Sequence, residues 1–159
     1  MDAPPSIKVT AGGEALPSVY GLNKWDGSVY DRKDCFEMLF EKRTADSLPY
    51  IKIGEIVYIS FNGTAPGTVT LKEILLRGDD GTRKYNAQAD TDISVEIKDG
   101  ELLFTLEDSW ATALSSNSAD YRAGKNYRGY KMICTWGENE CEYAFALRTD
   151  PPFVFEIEE

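Results

Sequence analysis

The sequence predicts an all-β protein: an antiparallel β-sandwich of seven to nine short strands, with at most one or two short helices. Three observations predict it. The first is the stretch Ile93 to Leu106, two alternating apolar–polar runs around Asp99-Gly100. Asp-Gly in that setting is the strongest short-range hairpin signal, because a two-residue type I′ turn needs positive φ at both central residues. The register this implies pairs Ile97 with Leu102, Val95 with Phe104 and Ile93 with Leu106, placing six apolar side chains on one face. The second is a second strong hairpin, Tyr127 to Trp136 and Cys141 to Thr149. There Tyr130, Met132, Cys134 and Trp136 share one face, and Cys141, Tyr143, Phe145 and Leu147 share the face opposite. The third is the lack of alternating helix–strand units, which a nucleotide-binding α/β fold would require. A single closed barrel is the alternative architecture.

Taken in order, Ser6 to Thr10 alternates after Pro4-Pro5 and reads as an opening strand, ended by a turn at Ala11-Gly12-Gly13. Leu16 to Leu22 contains Pro17, which lacks a ladder donor and so predicts an edge strand. Lys24 to Ser28 reads as a loop in which Asp26-Gly27 can turn the chain back into Val29-Tyr30. Asp34 to Thr44 is the helical candidate. Asp34 can cap it, Glu37 fits a capping box loosely, and Phe36, Leu39 and Phe40 share a face.

Glu55 to Phe61 alternates with Val57, Ile59 and Phe61 inward and stops at the turn 62–67. Thr68 to Arg77 starts with Val69 and Leu71 inward, and its phase shift near Lys72-Glu73 predicts a β-bulge before Ile74 and Leu76. Gly78 to Gly81 closes that strand. Ser109 to Lys125 is polar and rich in Ser, Ala and Asn, so it reads as a long surface loop. Pro151-Pro152 breaks the last hairpin, and Phe153, Phe155 and Ile157 supply a closing strand.

Length and composition fit one domain over residues 1–159, able to bury roughly 70% of its unfolded surface. The net charge of −10 repels phosphate backbones and argues against a nucleic-acid partner. No apolar run approaches the roughly 18–20 residues of a membrane helix, so no membrane contact is expected within these residues. Met1-Asp2-Ala3-Pro4-Pro5 lacks the basic start and apolar segment of a signal peptide. The expectation is therefore a cytosolic protein, or one whose export signal precedes residue 1. The chain has no histidine, which removes the commonest general base and metal ligand. No metal site, cofactor or catalytic residue is assigned.

Of the three cysteines, Cys134 and Cys141 flank a turn. If Gly137-Glu138 forms a type II′ turn, they stand directly opposite, at bridging distance. If the turn is Glu138-Asn139, they are only diagonal neighbours and pack as buried thiols.

The opening PPSIKVTAGGEALPSVYGLNKWDG, with Gly21 and Trp25 in a Gly-x-x-x-Trp segment, resembles the start of secreted, often lipid-anchored, immunoglobulin-like domains of Gram-positive bacteria. The closing YKMICTWGENECEYAFALRT resembles their last hairpin, with Trp136 before the turn and Tyr143 and Phe145 after it. The resemblance implies an immunoglobulin-like sandwich at the cell surface or secreted, and it says little about activity. The inter-sheet disulfide of true immunoglobulin domains is not expected, since no fitting Trp lies between Cys35 and Cys134.

Several clusters have two readings. Trp25, near Tyr20 and Tyr30, is either an exposed anchor for a ligand, glycan or protein, or a lid folded over the sheet edge. Asp79, Asp80, Asp90 and Asp92 could supply oxygen ligands for Ca²⁺ but match no EF-hand spacing. Arg77-Gly78-Asp79 and Asn62-Gly63-Thr64 spell short motifs that a strand end and a turn also produce. The functional expectation is a non-enzymatic, extracytoplasmic interaction or sensing module. It meets a cell-surface protein or glycan through loops such as 19–30 or 109–126, with Trp25, Tyr20 and Tyr30 as contact residues. The alternatives are a carboxylate-dependent hydrolase acting on a cell-surface glycan, and a structural spacer.

Overall fold

A computed structural model of the chain describes residues 3–30, 34–78, 81–85, 87–108 and 121–152. Among the described residues, eleven strands are arranged in two sheets. The first holds β1 (Ile7–Ala11), β2 (Glu14–Leu16), β5 (Ile56–Phe61), β8 (Glu96–Lys98) and β9 (Glu101–Thr105), in the order β2-β1-β5-β9-β8. The second holds β3 (Ser18–Trp25), β4 (Ser28–Tyr30), β6 (Thr68–Leu76), β7 (Thr91–Ile93), β10 (Asn126–Trp136) and β11 (Asn139–Thr149), in the order β4-β3-β11-β10-β6-β7. All ladder pairings between these strands are antiparallel. The run β1-β5-β9-β8 facing β11-β10-β6-β7 reproduces the strand order of an immunoglobulin domain. The described residues thus form an antiparallel β-sandwich, as the alternation predicts.

Both hairpin turns form, the second hairpin in full and the first over its last pairs only. Asp99 and Gly100 both have positive φ (52° and 77°), and Ile97 pairs with Leu102. Cys134 pairs with Cys141 around Gly137, whose φ is +62°. The inward faces of β10 and β11 meet β5 and β9 in one core. At its centre Tyr130 stacks on Phe145 at 5.0 Å and 15°, with Phe104 tilted against both.

Four expectations need correction. Neither Ile93–Leu106 nor Val95–Phe104 pairs: Ile93 belongs to β7 and pairs with Leu71 in the other sheet, and Val95 lies between β7 and β8. The chain changes sheets at Ser94-Val95, so the hairpin is shorter than its alternation suggests and Ile97 is 65% exposed. Ser18–Trp25 is no edge strand, since it lies between β4 and β11. Pro17 sits at the kink where β2 leaves one sheet and β3 enters the other, a place that needs no ladder donor. Trp25 is in a strand, not a loop; Asp26 and Gly27 (φ 49° and 81°) make the tight turn beyond it.

The fourth correction concerns β6. Its pairing with β10 runs unbroken from Thr68 to Leu76, so there is no bulge. Period two continues, with Leu71, Glu73 and Leu75 opposite the inward Met132, Tyr130 and Arg128. The apparent phase shift arises because Glu73 is buried, and because the outward Ile74 and Leu76 are buried too. A bulge does occur in β3, where the register against β11 slips between Cys141 and Tyr143 and leaves Gly21 and Leu22 opposite Glu142.

The outward burial comes from the segment after β4. Helix α1 (Cys35–Leu39) and a 3₁₀ turn (Ala45–Ser47) lie on the outer face of the six-stranded sheet and form a second core with Ile74, Leu76, Ala144 and Ala146. Small residues on the sheet allow this close approach. A Cβ on Gly129 would sit 2.6 Å from the Phe36 ring, and one on Gly21 would sit 3.1 Å from Cys35 Cβ. The 3₁₀ turn is clamped by Asp46, which accepts from Lys125 Nζ at 2.7 Å and from the Tyr127 hydroxyl. Arg148 Nε donates to Leu48 O at 2.8 Å. The proposed closing strand at Phe153, Phe155 and Ile157, and residues 109–120 of the polar loop, lie outside the described residues. Among the described residues, no helix is long and apolar enough to cross a membrane.

Candidate functional site

The expected aromatic site does not assemble on a loop. Trp25 is only 3% exposed and packs edge-to-face on Trp136, ring centroids 5.3 Å apart, so its ring is a core lid. Inward placement follows from the tight Asp26-Gly27 turn, which keeps Trp25 in phase with the buried Asn23. Tyr20 is 36% exposed, with its ring edge on Tyr143 at 6.4 Å. Tyr30 pairs with Asn23 through its backbone; its side chain lies outside the described residues. The three aromatics are therefore not shown as one surface.

The other candidates resolve into structural roles or fall outside the description. Asp79 and Asp80 are outside it, and so is the last residue of the Arg77-Gly78-Asp79 motif. Asp90 pairs with Arg83, and Asp92 lies 3.8 Å from Lys72. Among the described residues no group of three or more acidic or sulfur ligands could hold a metal. Thr64 accepts from Trp136 Nε1 at 2.9 Å, so the Asn62-Gly63-Thr64 turn anchors the end of β10.

The concave site lies beside α1. Its short helix is started by Asp34, whose carboxylate accepts from Phe36 N at 3.0 Å and Glu37 N at 3.2 Å. On one side the helix and the segment 81–83 enclose a cleft of about 580 Å³. Phe36 and Phe40 give it an apolar floor. Asp34, Glu37 and Glu41 line it from the helix side, and Arg83 and Lys131 from the sheet side. Gly81, with φ +71°, lets its backbone rest against Phe40, where a Cβ would stand 2.3 Å from the ring. A second cleft of about 540 Å³ lies on the other side of the helix, lined by Val19, Met38 and Leu39 with Lys42 and Arg43.

The cleft's basic groups are already engaged. Arg83 donates to Asp90, and Lys131 Nζ lies 3.1 Å from Glu142 Oε1. Burial works against the charged form of Lys131. The hydrogen bond and charge of Glu142 outweigh it, so the ammonium's pKa is raised. Glu142 also accepts from Cys35 Sγ at 3.4 Å. Burial, and next the charge of Glu142, push the Cys35 thiol up to about 12, which keeps this buried side chain protonated at neutral pH. On the helix side the carboxylates of Asp34, Glu37 and Glu41 are exposed.

Sequence reasoning identified Phe36 and Phe40 as one face of a helix but not the cleft. Arg83 and Lys131 reach it from far along the chain, through pairings no local pattern announces. A second open surface is the outer face of the five-stranded sheet. There Thr10, Tyr58 and Leu103 lie in one cross-strand row, and Tyr58 is 40% exposed.

Compared with known protein-family models this chain matches none, and no characterised protein matches it in sequence.

Proposed function

We propose that this domain is a non-enzymatic interaction or sensing module working outside the cytoplasm, which meets a cell-surface protein partner through the cleft beside α1. The observation that carries the reading is the cleft's composition: two Phe rings below, the exposed Glu37 beside Glu41 and the helix-capping Asp34 on one side, and Arg83 and Lys131 opposite, each held by a carboxylate outside the cleft. That arrangement suits an apolar side chain flanked by a Lys or Arg, and the net charge of −10 steers such a partner inward. A neutral glycan would use the apolar floor but not the charge. Extracytoplasmic location rests on the resemblance of Pro4–Gly27 and Tyr130–Thr149 to secreted and lipid-anchored domains.

Carboxylate hydrolysis is less well supported. It needs two carboxyl groups facing one bond, one of them kept protonated. Here Asp34 is bound by helix amides, and Glu142 by Lys131 and Cys35. A pure spacer would have no use for a formed cleft.

The test is an NMR titration of the isotope-labelled domain with aromatic peptides flanked by Arg, and with the same peptides flanked by Glu. The expected result is shift changes at Phe36, Phe40 and Gly81 for the Arg series alone, weakening as salt rises and lost in E37K/E41K. Equal response to both series, or response only to cell-wall oligosaccharides, would overturn the reading.

A further inference from the structure

The facing thiols of β10 and β11 make up a feature that the proposed contact function leaves unused. Cys134 and Cys141 are direct partners in an unbroken antiparallel ladder. Both side chains point inward, belong to the main core and are 0% exposed. Counting by twos from the turn-closing pair Trp136 and Asn139, Cys134 and Cys141 fall at a hydrogen-bonded position. Facing Cα atoms there stand about 5.5 Å apart, inside the usual disulfide range of about 4.4–6.8 Å. Cys35 is segregated from them: it lies in the second core, on the opposite face of the six-stranded sheet, and donates to Glu142.

We propose that Cys134 and Cys141 are a disulfide pair that closes during folding, wherever the chain folds in the presence of a disulfide oxidant, and that Cys35 is the thiol left over. The oxidant is a low-molecular-weight or protein disulfide. One cysteine thiolate attacks it, forming a mixed disulfide and releasing one thiol. The second attacks the protein-bound sulfur, making the Cys134–Cys141 bond and releasing the other. Two electrons pass from the cysteine pair to the oxidant, and the two protons end on the departing thiols.

Folding sets the timing. In the finished sandwich neither sulfur can be reached, and burial, with the charge of Cys141 second, pushes the Cys134 thiol up to about 12. A thiol of that pKa is scarcely ionised at neutral pH, so the folded, reduced protein reacts slowly. The hairpin itself is local and can form before the second sheet covers it. Once covered, the bond is equally shielded from reductants. This inference rests on the register alone and is independent of what the cleft binds.

The experiment refolds the reduced, denatured chain in a mixture of reduced and oxidised glutathione, then alkylates it under denaturing conditions without reductant for mass spectrometry. The expected product carries one alkyl group, on Cys35, and yields a peptide pair linked through Cys134 and Cys141. The C141S variant should carry two alkyl groups, on Cys35 and Cys134. Folded reduced protein given the same glutathione mixture should keep three reactive thiols over the time in which the refolding sample loses two. Three alkyl groups after refolding, or a bond that includes Cys35, overturns the pairing. Oxidation of the folded protein as fast as of the refolding chain overturns the timing. Refolding that matches reduced protein in tryptophan fluorescence excludes protection by misfolding.

Discussion

Arg128 donates to Glu73 at 3.2 Å with both side chains inside the sandwich, 0% and 4% exposed. Arg128 Nε also donates to Asn126 Oδ1 at 2.7 Å and its Nη1 to Glu107 O, while Glu73 accepts from Tyr130 OH at 2.7 Å. This charged network sits on β6 and β10, beside the aromatic stack of Tyr130 and Phe145. Burial and the neighbouring Glu73 charge raise the Tyr130 hydroxyl far above its ordinary range, so it stays a neutral donor.

Breaking that pair from one side leaves an uncompensated charge in the core. Arg128→Met is expected to lower stability by about 3–5 kcal/mol, and Glu73→Leu by a similar amount. The double variant should lose clearly less than the sum, because neither charge is stranded. Urea unfolding midpoints of the four proteins check this. Additive losses would mean that the pair is not coupled.

The close seat of α1 depends on a missing methyl group. Gly129→Ala places a Cβ 2.6 Å from the Phe36 ring and 2.9 Å from Leu76 Cδ1. Overpacking of this kind costs about 1–3 kcal/mol. The helix must lift, so loss of midpoint stability should be accompanied by shift changes at Phe36 and Phe40. A variant as stable as the parent, with those resonances unmoved, would contradict the contact.

Trp25 is expected to behave as core. Trp25→Ala should cost about 3–5 kcal/mol, the usual range for emptying a buried aromatic site. It should also change the near-UV dichroism of its neighbour Trp136. Tyr20→Ser, at a side chain already 36% exposed, should cost much less. A Trp25 variant that keeps its stability would restore the anchor reading.

Acid sensitivity should come partly from Asp46. Hydrogen bonds from Lys125, and next from the Tyr127 hydroxyl, hold its carboxyl below the ordinary value of 3.8. The unfolded chain therefore binds a proton that the folded one resists. This contribution is complete above the ordinary value and is lost as pH falls through the lowered one. Asp46→Asn should flatten the acid limb of a stability–pH curve and leave neutral pH little changed, since Asp46 is largely exposed. An unchanged acid limb would refute the clamp.

The alkaline limb has a different origin. Cys35 and Cys134 are raised from 9.0 to about 12, chiefly by burial, so the unfolded chain loses these protons first. Their contribution is complete below pH 9 and disappears between 9 and about 12. Cys35→Ala should shallow that limb in every redox state. Oxidised protein, if Cys134 and Cys141 are bridged, should lose the part due to Cys134 and keep those due to Cys35 and to the raised tyrosine hydroxyls of Tyr127, Tyr130 and Tyr143. Identical limbs in reduced and oxidised protein would argue against the bridge.

Alternation and turn chemistry read directly from the chain secured the antiparallel strands, the Asp99-Gly100 turn and the inward face of β10 and β11, and narrowed the second turn to two registers, of which the structure takes Gly137-Glu138 with Cys134 facing Cys141. These are nearest-neighbour properties: a two-residue turn imposes its register on the strands beside it, and period two then assigns the faces. Long-range packing settled the remainder. Glu73 reads as an outward residue until Arg128, 55 positions later, neutralises it inside. Ile74 and Leu76 look like a slipped phase until α1 covers the outer face that should have been wet. Trp25 looks like a loop residue until Trp136 arrives to bury it. Arg83 and Lys131 meet Phe36 and Phe40 only when the sheets are assembled, so the cleft is a property of the fold, and no stretch of sequence contains it.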